Sequence, residues 1–176
     1  NAEDWTGVAA AFALVKELGP VMTAILFAGR AGTALTSEIG LMKATDQLSA
    51  MEMMAVNPMR RVLVPRFLGG VISMPLLAAI FSAVGLFGAH LVGVELFQVD
   101  VGSFWQQIQI TVEPADVNEG IIKSVVFGFV ASLIAVWEGY NTVPTAEGVG
   151  RATTRTVVIT AIAILVLDFM ITAALI

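Results

Sequence analysis

The sequence contains four apolar stretches, each long enough to cross a lipid bilayer. They run from near Trp5 to Ala28, from Phe67 to Val94, from Ile121 to Trp137 and from Thr156 to Ile176. A membrane span needs about 20 mainly apolar residues. Because a lone segment in lipid satisfies its backbone polar groups only by bonding to itself, each stretch should form an α-helix. We therefore predict an all-α fold, a polytopic membrane helical bundle with four spans.

Composition supports this class and excludes several functions. The chain is 57% hydrophobic and only 13% charged, which leaves too little polar surface to cover a soluble domain of 176 residues. It has no cysteine, so disulfides and thiolate chemistry are excluded, and its net charge of -5 argues against a nucleic-acid partner. There is no G-x-x-x-x-G-K-[ST] loop for ATP. We expect no catalytic residue, no metal and no cofactor in this chain.

The positive charges predict the orientation of the spans. Segment 31–66 carries four Lys or Arg residues and segment 138–155 carries two, whereas segment 95–120 carries none and has five acidic residues. Positively charged loops stay in the cytoplasm. We therefore place the first two segments in the cytoplasm and segment 95–120 outside, as a periplasmic connection.

The first cytoplasmic connection has the pattern of an amphipathic helix. Segment 38–56 reads EIGLMKATDQLSAMEMMAV, with apolar residues spaced by three and four, including Leu48, Met51 and Met54. Thr36-Ser37 would cap its start and Asn57-Pro58 would end it. Such a helix either lies among the lipid headgroups or docks a cytosolic partner. The methionines favour docking, since this flexible side chain adapts to a partner's surface.

Four ionisable residues, Lys16, Glu17, Lys123 and Asp168, lie inside the apolar stretches. Charged residues at membrane depth are costly and usually functional. Glu17 and Asp168 each lie thirteen residues from an arginine at the cytoplasmic rim, and Lys123 lies fifteen residues from the end of its span. At 1.5 Å per residue, all three sit about 20 Å from that rim. Opposite charges at one depth could pair across the bundle, either to hold the helices in register or to handle a substrate.

The polar motifs carry a family resemblance. The runs ELGPVMTAILFAGRAGTALTSEIGLMKATDQLSAMEMMAVNPMRRVLVPRF, IIKSVVFGFV and EGYNTVPTAEGVGRATTRTVV closely resemble the MlaE permease family. This family supplies the transmembrane subunits of bacterial ABC systems that move phospholipids between the inner and outer membranes. Members usually have an interfacial helix and one more span before the region seen here. We therefore expect residues 1–176 to be part of a single permease domain.

The resemblance implies an assembly in the inner membrane of a cell with two membranes. Such a permease is a homodimer that works with a cytosolic ATPase, which binds ATP and magnesium, a STAS-domain protein and a hexameric periplasmic MCE-domain protein. Phospholipid would occupy a cavity between the two permease copies, near Lys16, Glu17, Lys123 and Asp168.

The same resemblance makes segment 38–56 the coupling helix seated on the ATPase. The residues expected to serve this coupling are Glu38, Leu48, Met51, Glu52 and Met54. Two other functions stay open from the residues alone. One is an ion-coupled secondary transporter that uses Glu17, Lys123 and Asp168 as a relay, and the other is a membrane scaffold that transports nothing.

Overall fold

The computed structural model describes residues 9, 12–96, 98 and 100–175, and the regular structure within these ranges is entirely helical. Four long helices are apolar enough to cross a membrane: α1 (Leu14–Ala44), α3 (Met59–Glu95), α5 (Pro114–Asn141) and α6 (Ala146–Leu175). Two shorter helices, α2 (Gln47–Met53) and α4 (Val101–Thr111), lie in the connections. The prediction of an all-α bundle with four spans is confirmed.

Two wide turns in the long helices are explained by prolines. In the π-helical turns Leu14–Leu18 and Met59–Leu63, the N–H that follows the turn donates to a carbonyl five residues earlier, instead of four. Pro20 and Pro65 each lie two residues after such a turn. Proline has no N–H and its ring crowds the carbonyl one turn back, so a wider turn relieves the clash while the helix continues.

The core lies where all four spans meet. Its buried side chains form an apolar cluster, which we call the central plug: Ala24 and Phe27 of α1, Met74 of α3, Phe127 and Ala131 of α5, and Ile164 of α6. Helix α5 packs against each of the other three spans. Its approach to α3 requires glycine, because a Cβ added at Gly128 would lie 2.6 Å from the Cβ of Met74.

The first span ends later than predicted, and the amphipathic helix over 38–56 is interrupted. The predicted start of this span, near Trp5, lies outside the described residues. Helix α1 runs on to Ala44, with Thr36 in its interior rather than at a cap. The chain then turns at Asp46, whose φ of 59° is left-handed, before α2 begins at Gln47. A short polar side chain tolerates this conformation. The prediction of one helix from Glu38 to Val56 is therefore wrong, because the chain forms two helices there.

The connection 95–120 is also more structured than the sequence suggested. Helix α4 begins at Val101 and is capped by Asp100, whose carboxylate accepts a hydrogen bond from the backbone N–H of Ser103 at 3.0 Å. Phe104 and Ile108 on α4 are buried. Helix α5 then starts at Pro114, seven residues before the predicted span, behind a capping box made by Glu113 and Asp116. The acidic end of this connection is thus part of a spanning helix.

Candidate functional site

The site is centred on Lys123, which is 0% exposed at the meeting point of α1, α5 and α6. Its Nζ lies 2.9 Å from Oε1 of Glu17, 3.2 Å from Oε1 of Glu119 and 3.4 Å from Oδ1 of Asp168. It also donates a hydrogen bond of 2.8 Å to Oγ1 of Thr172. The prediction that charges at one depth pair across three helices is confirmed for Glu17, Lys123 and Asp168.

Lys16 belongs to the same group but contacts different residues. Its Nζ lies 3.3 Å from Asp116 and 3.3 Å from Glu119, and 5.4 Å from the centre of the Phe12 ring. Glu119 contacts both Lys16 and Lys123, so the two lysines and the four carboxylates around them form one connected set of six side chains. We call this set the charge cluster; its members are Lys16, Glu17, Asp116, Glu119, Lys123 and Asp168.

Sequence reasoning missed Asp116, Glu119 and Thr172 as members of the site. The two acids were assigned to a loop, because only the apolar part of α5 was recognised as a span. Glu119 stands four residues before Lys123, the spacing at which opposite charges on one helix meet. That spacing, together with the cap at Glu113, was the available signal. Nothing in the sequence pointed to Thr172.

The charge cluster is asymmetric in charge and in exposure. It contains two ammonium groups and four carboxylates. The ammonium group at its centre is inaccessible, while the carboxylate side chains of Glu17 and Asp168 are 34% and 22% exposed. An arrangement of this kind can tie three helices together and still present polar groups to a ligand. Within the described ranges, no three His, Cys, Asp or Glu residues form a metal site.

The inner face of α6 shows what lies between the charge cluster and the predicted cytoplasmic end of the helix. Thr156, Thr160, Ile164 and Asp168 follow one another at four-residue spacing, and the first three are fully buried. Oγ1 of Thr156 lies 2.8 Å from Oγ1 of Thr36. The central plug, which includes Ile164, separates these hydroxyls from Asp168. Along this face of α6, Ile164 thus stands between the buried hydroxyls of Thr156 and Thr160 and the carboxylate of Asp168.

At the predicted cytoplasmic end, two predicted coupling residues face inwards. Leu48 is only 5% exposed. Met51 packs against an apolar cluster of the same chain that includes Ile39 and Val62. The sequence predicted that Leu48 and Met51 belong to the face of the helix that couples to the ATPase. In the structure Leu48 is buried and Met51 is half-buried, so these side chains anchor α2 to α1 and α3, and their coupling role stays a prediction.

Other predicted coupling residues are exposed. Met54 is 68% exposed and its neighbour Met53 is 89% exposed, at the end of α2. Glu52 is also exposed. The side chain of Glu38 accepts a hydrogen bond of 3.1 Å from Arg66 of α3 and remains 60% exposed.

A lysine joins the end of α1 to the end of α5. Nζ of Lys43 donates a hydrogen bond of 2.7 Å to the backbone carbonyl of Tyr140 and lies 5.7 Å from the centre of its ring. The last carbonyls of a helix lack intrahelical partners and carry partial negative charge, so a cation there is stabilising. Helix α5 is thereby fixed to α1 at the predicted cytoplasmic end and to α1 and α6 at the charge cluster.

Comparison with known proteins places the chain in one family. The family model described as Permease MlaE matches residues 1–174. The chain is 55% identical to the intermembrane phospholipid transport system permease protein MlaE of Haemophilus influenzae, over 98% of this chain and 67% of that protein. It is 36% identical to a probable ABC transporter permease protein of Rickettsia prowazekii, over 98% of this chain and 66% of that protein.

A plant relative is more distant. The chain is 29% identical to the chloroplastic protein TRIGALACTOSYLDIACYLGLYCEROL 1 of Arabidopsis thaliana, over 93% of this chain and 47% of that protein. The chain spans about two thirds of the length of the bacterial relatives named above. Since both the family model and the Haemophilus protein match nearly every residue, the chain belongs to the MlaE permease family.

Proposed function

We propose that this chain is the transmembrane permease subunit of an ABC transporter that moves phospholipids between the inner and outer membranes of a bacterial cell. The observation that carries the proposal is the 55% identity to the Haemophilus phospholipid permease, which extends through 174 residues and so includes all four spans and the charge cluster. ATP would be hydrolysed, with magnesium, by a partner ATPase. The permease itself would change shape.

The cytoplasmic end of the molecule suggests how hydrolysis would reach the spans. Met53 and Met54 protrude from α2, and we propose that they insert into the ATPase. Leu48 and Met51 hold α2 on the body of the protein. A displacement of α2 would therefore move α1 and, through Lys43, the end of α5. Helix α5 carries Lys123 near its other end, so the motion would reach the charge cluster.

The remaining partners follow from the family. We propose a homodimer in the inner membrane, with a STAS-domain protein on the ATPase side and a hexameric MCE-domain protein on the periplasmic side. The exposed apolar faces of α3 and α6 leave room for both lipid and a second copy. The charge cluster, with its half-buried carboxylates, would meet the headgroup of a phospholipid.

The test is transport by the full-length protein purified with the subunits that accompany it. The complex is reconstituted in vesicles with a fluorescent phospholipid, and transfer to acceptor vesicles is measured with ATP and with a non-hydrolysable analogue. We expect an ATPase to copurify and transfer to require hydrolysis. Transfer that proceeds equally with the analogue would contradict the proposal.

An ion-coupled transporter is the main alternative. A relay through Glu17, Lys123 and Asp168 needs a polar route to the cytoplasm. Phe27, Phe127 and Ile164 of the central plug interrupt such a route, and the buried hydroxyls of Thr23, Ser132 and Thr160 lie beside them. The vesicle assay separates the two functions. In the same vesicles, an ionophore that abolishes transfer while ATP is present would favour the relay. A scaffold, the other alternative, would show no transfer under any condition.

A further inference from the structure

Two adjoining cavities, which together we call the groove, lie between α1 and α3, apart from the charge cluster. Its larger part has a volume of about 410 Å³ and is walled by apolar side chains such as Leu77, Ile80 and Val84, with Arg30 at its edge. Its smaller part has a volume of about 350 Å³ and is bordered by Arg66. Phe27 and Ala31 line both parts, so the two cavities are neighbours.

The part of the groove above Arg30 has the length of part of an acyl chain. On α1 its lining extends from Arg30 to Thr23 and on α3 from Leu77 to Val84, a separation of seven residues on each helix. At 1.5 Å per residue both distances are about 10 Å. Half of the hydrocarbon core of a bilayer is about 15 Å thick. The volumes also fall in the range of about 300–1,000 Å³ typical of ligand sites.

Charge distinguishes the two arginines of the groove. Arg66 is already paired with Glu38 at 3.1 Å. Arg30 is exposed and forms no salt bridge with any residue in the described ranges. It stands at the predicted cytoplasmic level, below the apolar wall made by Leu77 and Val84. A guanidinium can bind a phosphate through two parallel hydrogen bonds, in a bidentate pair, so Arg30 offers charge complementarity to a lipid phosphate.

We propose that this groove binds a phospholipid of the cytoplasmic leaflet, with an acyl chain along Leu77, Ile80 and Val84 and the phosphate at Arg30. The inference rests on the proposed function for the nature of the cargo, but it assigns a second lipid site. This site opens between α1 and α3 below the level of the charge cluster. Phe27 borders both the groove and the central plug, so it separates the two sites.

The experiment maps lipid contacts in the full-length complex in nanodiscs. The probe is phosphatidylglycerol with a photoactivatable diazirine in its acyl chain, and adducts are located by mass spectrometry. Adducts on Leu77–Val84 are compared with adducts on Val158–Ile162 of α6, where Val158 and Ile162 are 52% and 59% exposed. We expect the groove to be labelled several times more heavily than this reference.

Substitution of Arg30 tests the phosphate contact. Arg30→Gln should reduce groove labelling about fivefold, the upper end for an exposed ion pair, and Arg30→Lys should retain part of it. The matched control is Arg151→Gln, which also removes one exposed arginine predicted to face the cytoplasm, outside the groove. A diazirine-labelled diacylglycerol, which has no phosphate, should label the groove equally in all variants.

Three results would overturn the inference. In the first, the groove is labelled no more heavily than α6. In the second, Arg30→Gln changes labelling by the phosphatidylglycerol probe and by the diacylglycerol probe equally. In the third, residues 77–84 crosslink to a second copy or to another segment of the full-length chain. The last result would make the groove a protein interface. ATP-driven transfer with an unlabelled groove would leave the proposed function standing, whereas a labelled groove without ATP-driven transfer would remove only that function.

Discussion

Replacing Lys123 by methionine tests the central interaction of the charge cluster. The substitution keeps the length of the side chain and removes an ammonium group that is 0% exposed and lies within 3.4 Å of three carboxylates. Removing one partner of a buried ion pair costs about 3–5 kcal/mol. Because the three carboxylate side chains are 12–34% exposed, water solvates them in part, and we expect the lower end, about 3 kcal/mol.

Geometry also predicts which carboxylate is the principal partner. Lys123 donates a hydrogen bond of 2.9 Å to Glu17, whereas its contact with Asp168 is 3.4 Å and is not a hydrogen bond. We expect a coupling energy of about 1–2 kcal/mol for Glu17 with Lys123, and under about 1 kcal/mol for Asp168 with Lys123.

The assay is a pair of double-mutant cycles on unfolding by SDS in detergent micelles. Lys123→Met is combined with Glu17→Gln in one cycle and with Asp168→Asn in the other. Lys16→Met is the control, because the side chain of Lys16 is 24% exposed. The first double variant should recover part of the lost stability. Additive effects in both cycles, or a larger coupling to Asp168, would refute the reasoning. Lipid transfer measured on the same variants tells whether the charge cluster also acts on substrate.

Three further predictions address packing, coupling and topology. Gly128→Ala should destabilise the protein by about 1–3 kcal/mol, because the new Cβ would clash with Met74. Gly69→Ala is the control, since its new Cβ would meet nothing within 4 Å and should cause no such loss. Equal effects would contradict the close approach of α3 and α5. Met54→Glu should reduce copurification of the ATPase without lowering thermal stability, because Met54 is exposed. Leu48→Glu should lower thermal stability, because Leu48 is buried. If Met54→Glu leaves the ATPase bound, Met54 does not insert into the ATPase. A single cysteine at Asp100 should react with an impermeant thiol reagent added outside and one at Asn57 should not, so equal labelling would overturn the predicted orientation.

Hydropathy alone determined the fold class and the depth of the charges. Four stretches too apolar for water must become helices in lipid, and the constant rise per residue places Glu17, Lys123 and Asp168 at one level. These conclusions depend only on composition and on distance along each helix. The structure agrees with both.

The helix ends, and the direction in which each side chain points, were decided by tertiary packing. The first span continues through Thr36 because the hydroxyl of Thr36 donates to the carbonyl of Ala135 at 3.0 Å inside the bundle, and hydropathy cannot reveal that partner. Glu119 joins Lys123 because α5 begins before its apolar part. Leu48 is buried because the short helix α2 packs against α1 and α3, whereas Met54 follows the last residue of α2 and is exposed. A periodic pattern identifies an apolar face, but only the neighbouring helices determine whether that face meets its own chain, the lipid or another protein.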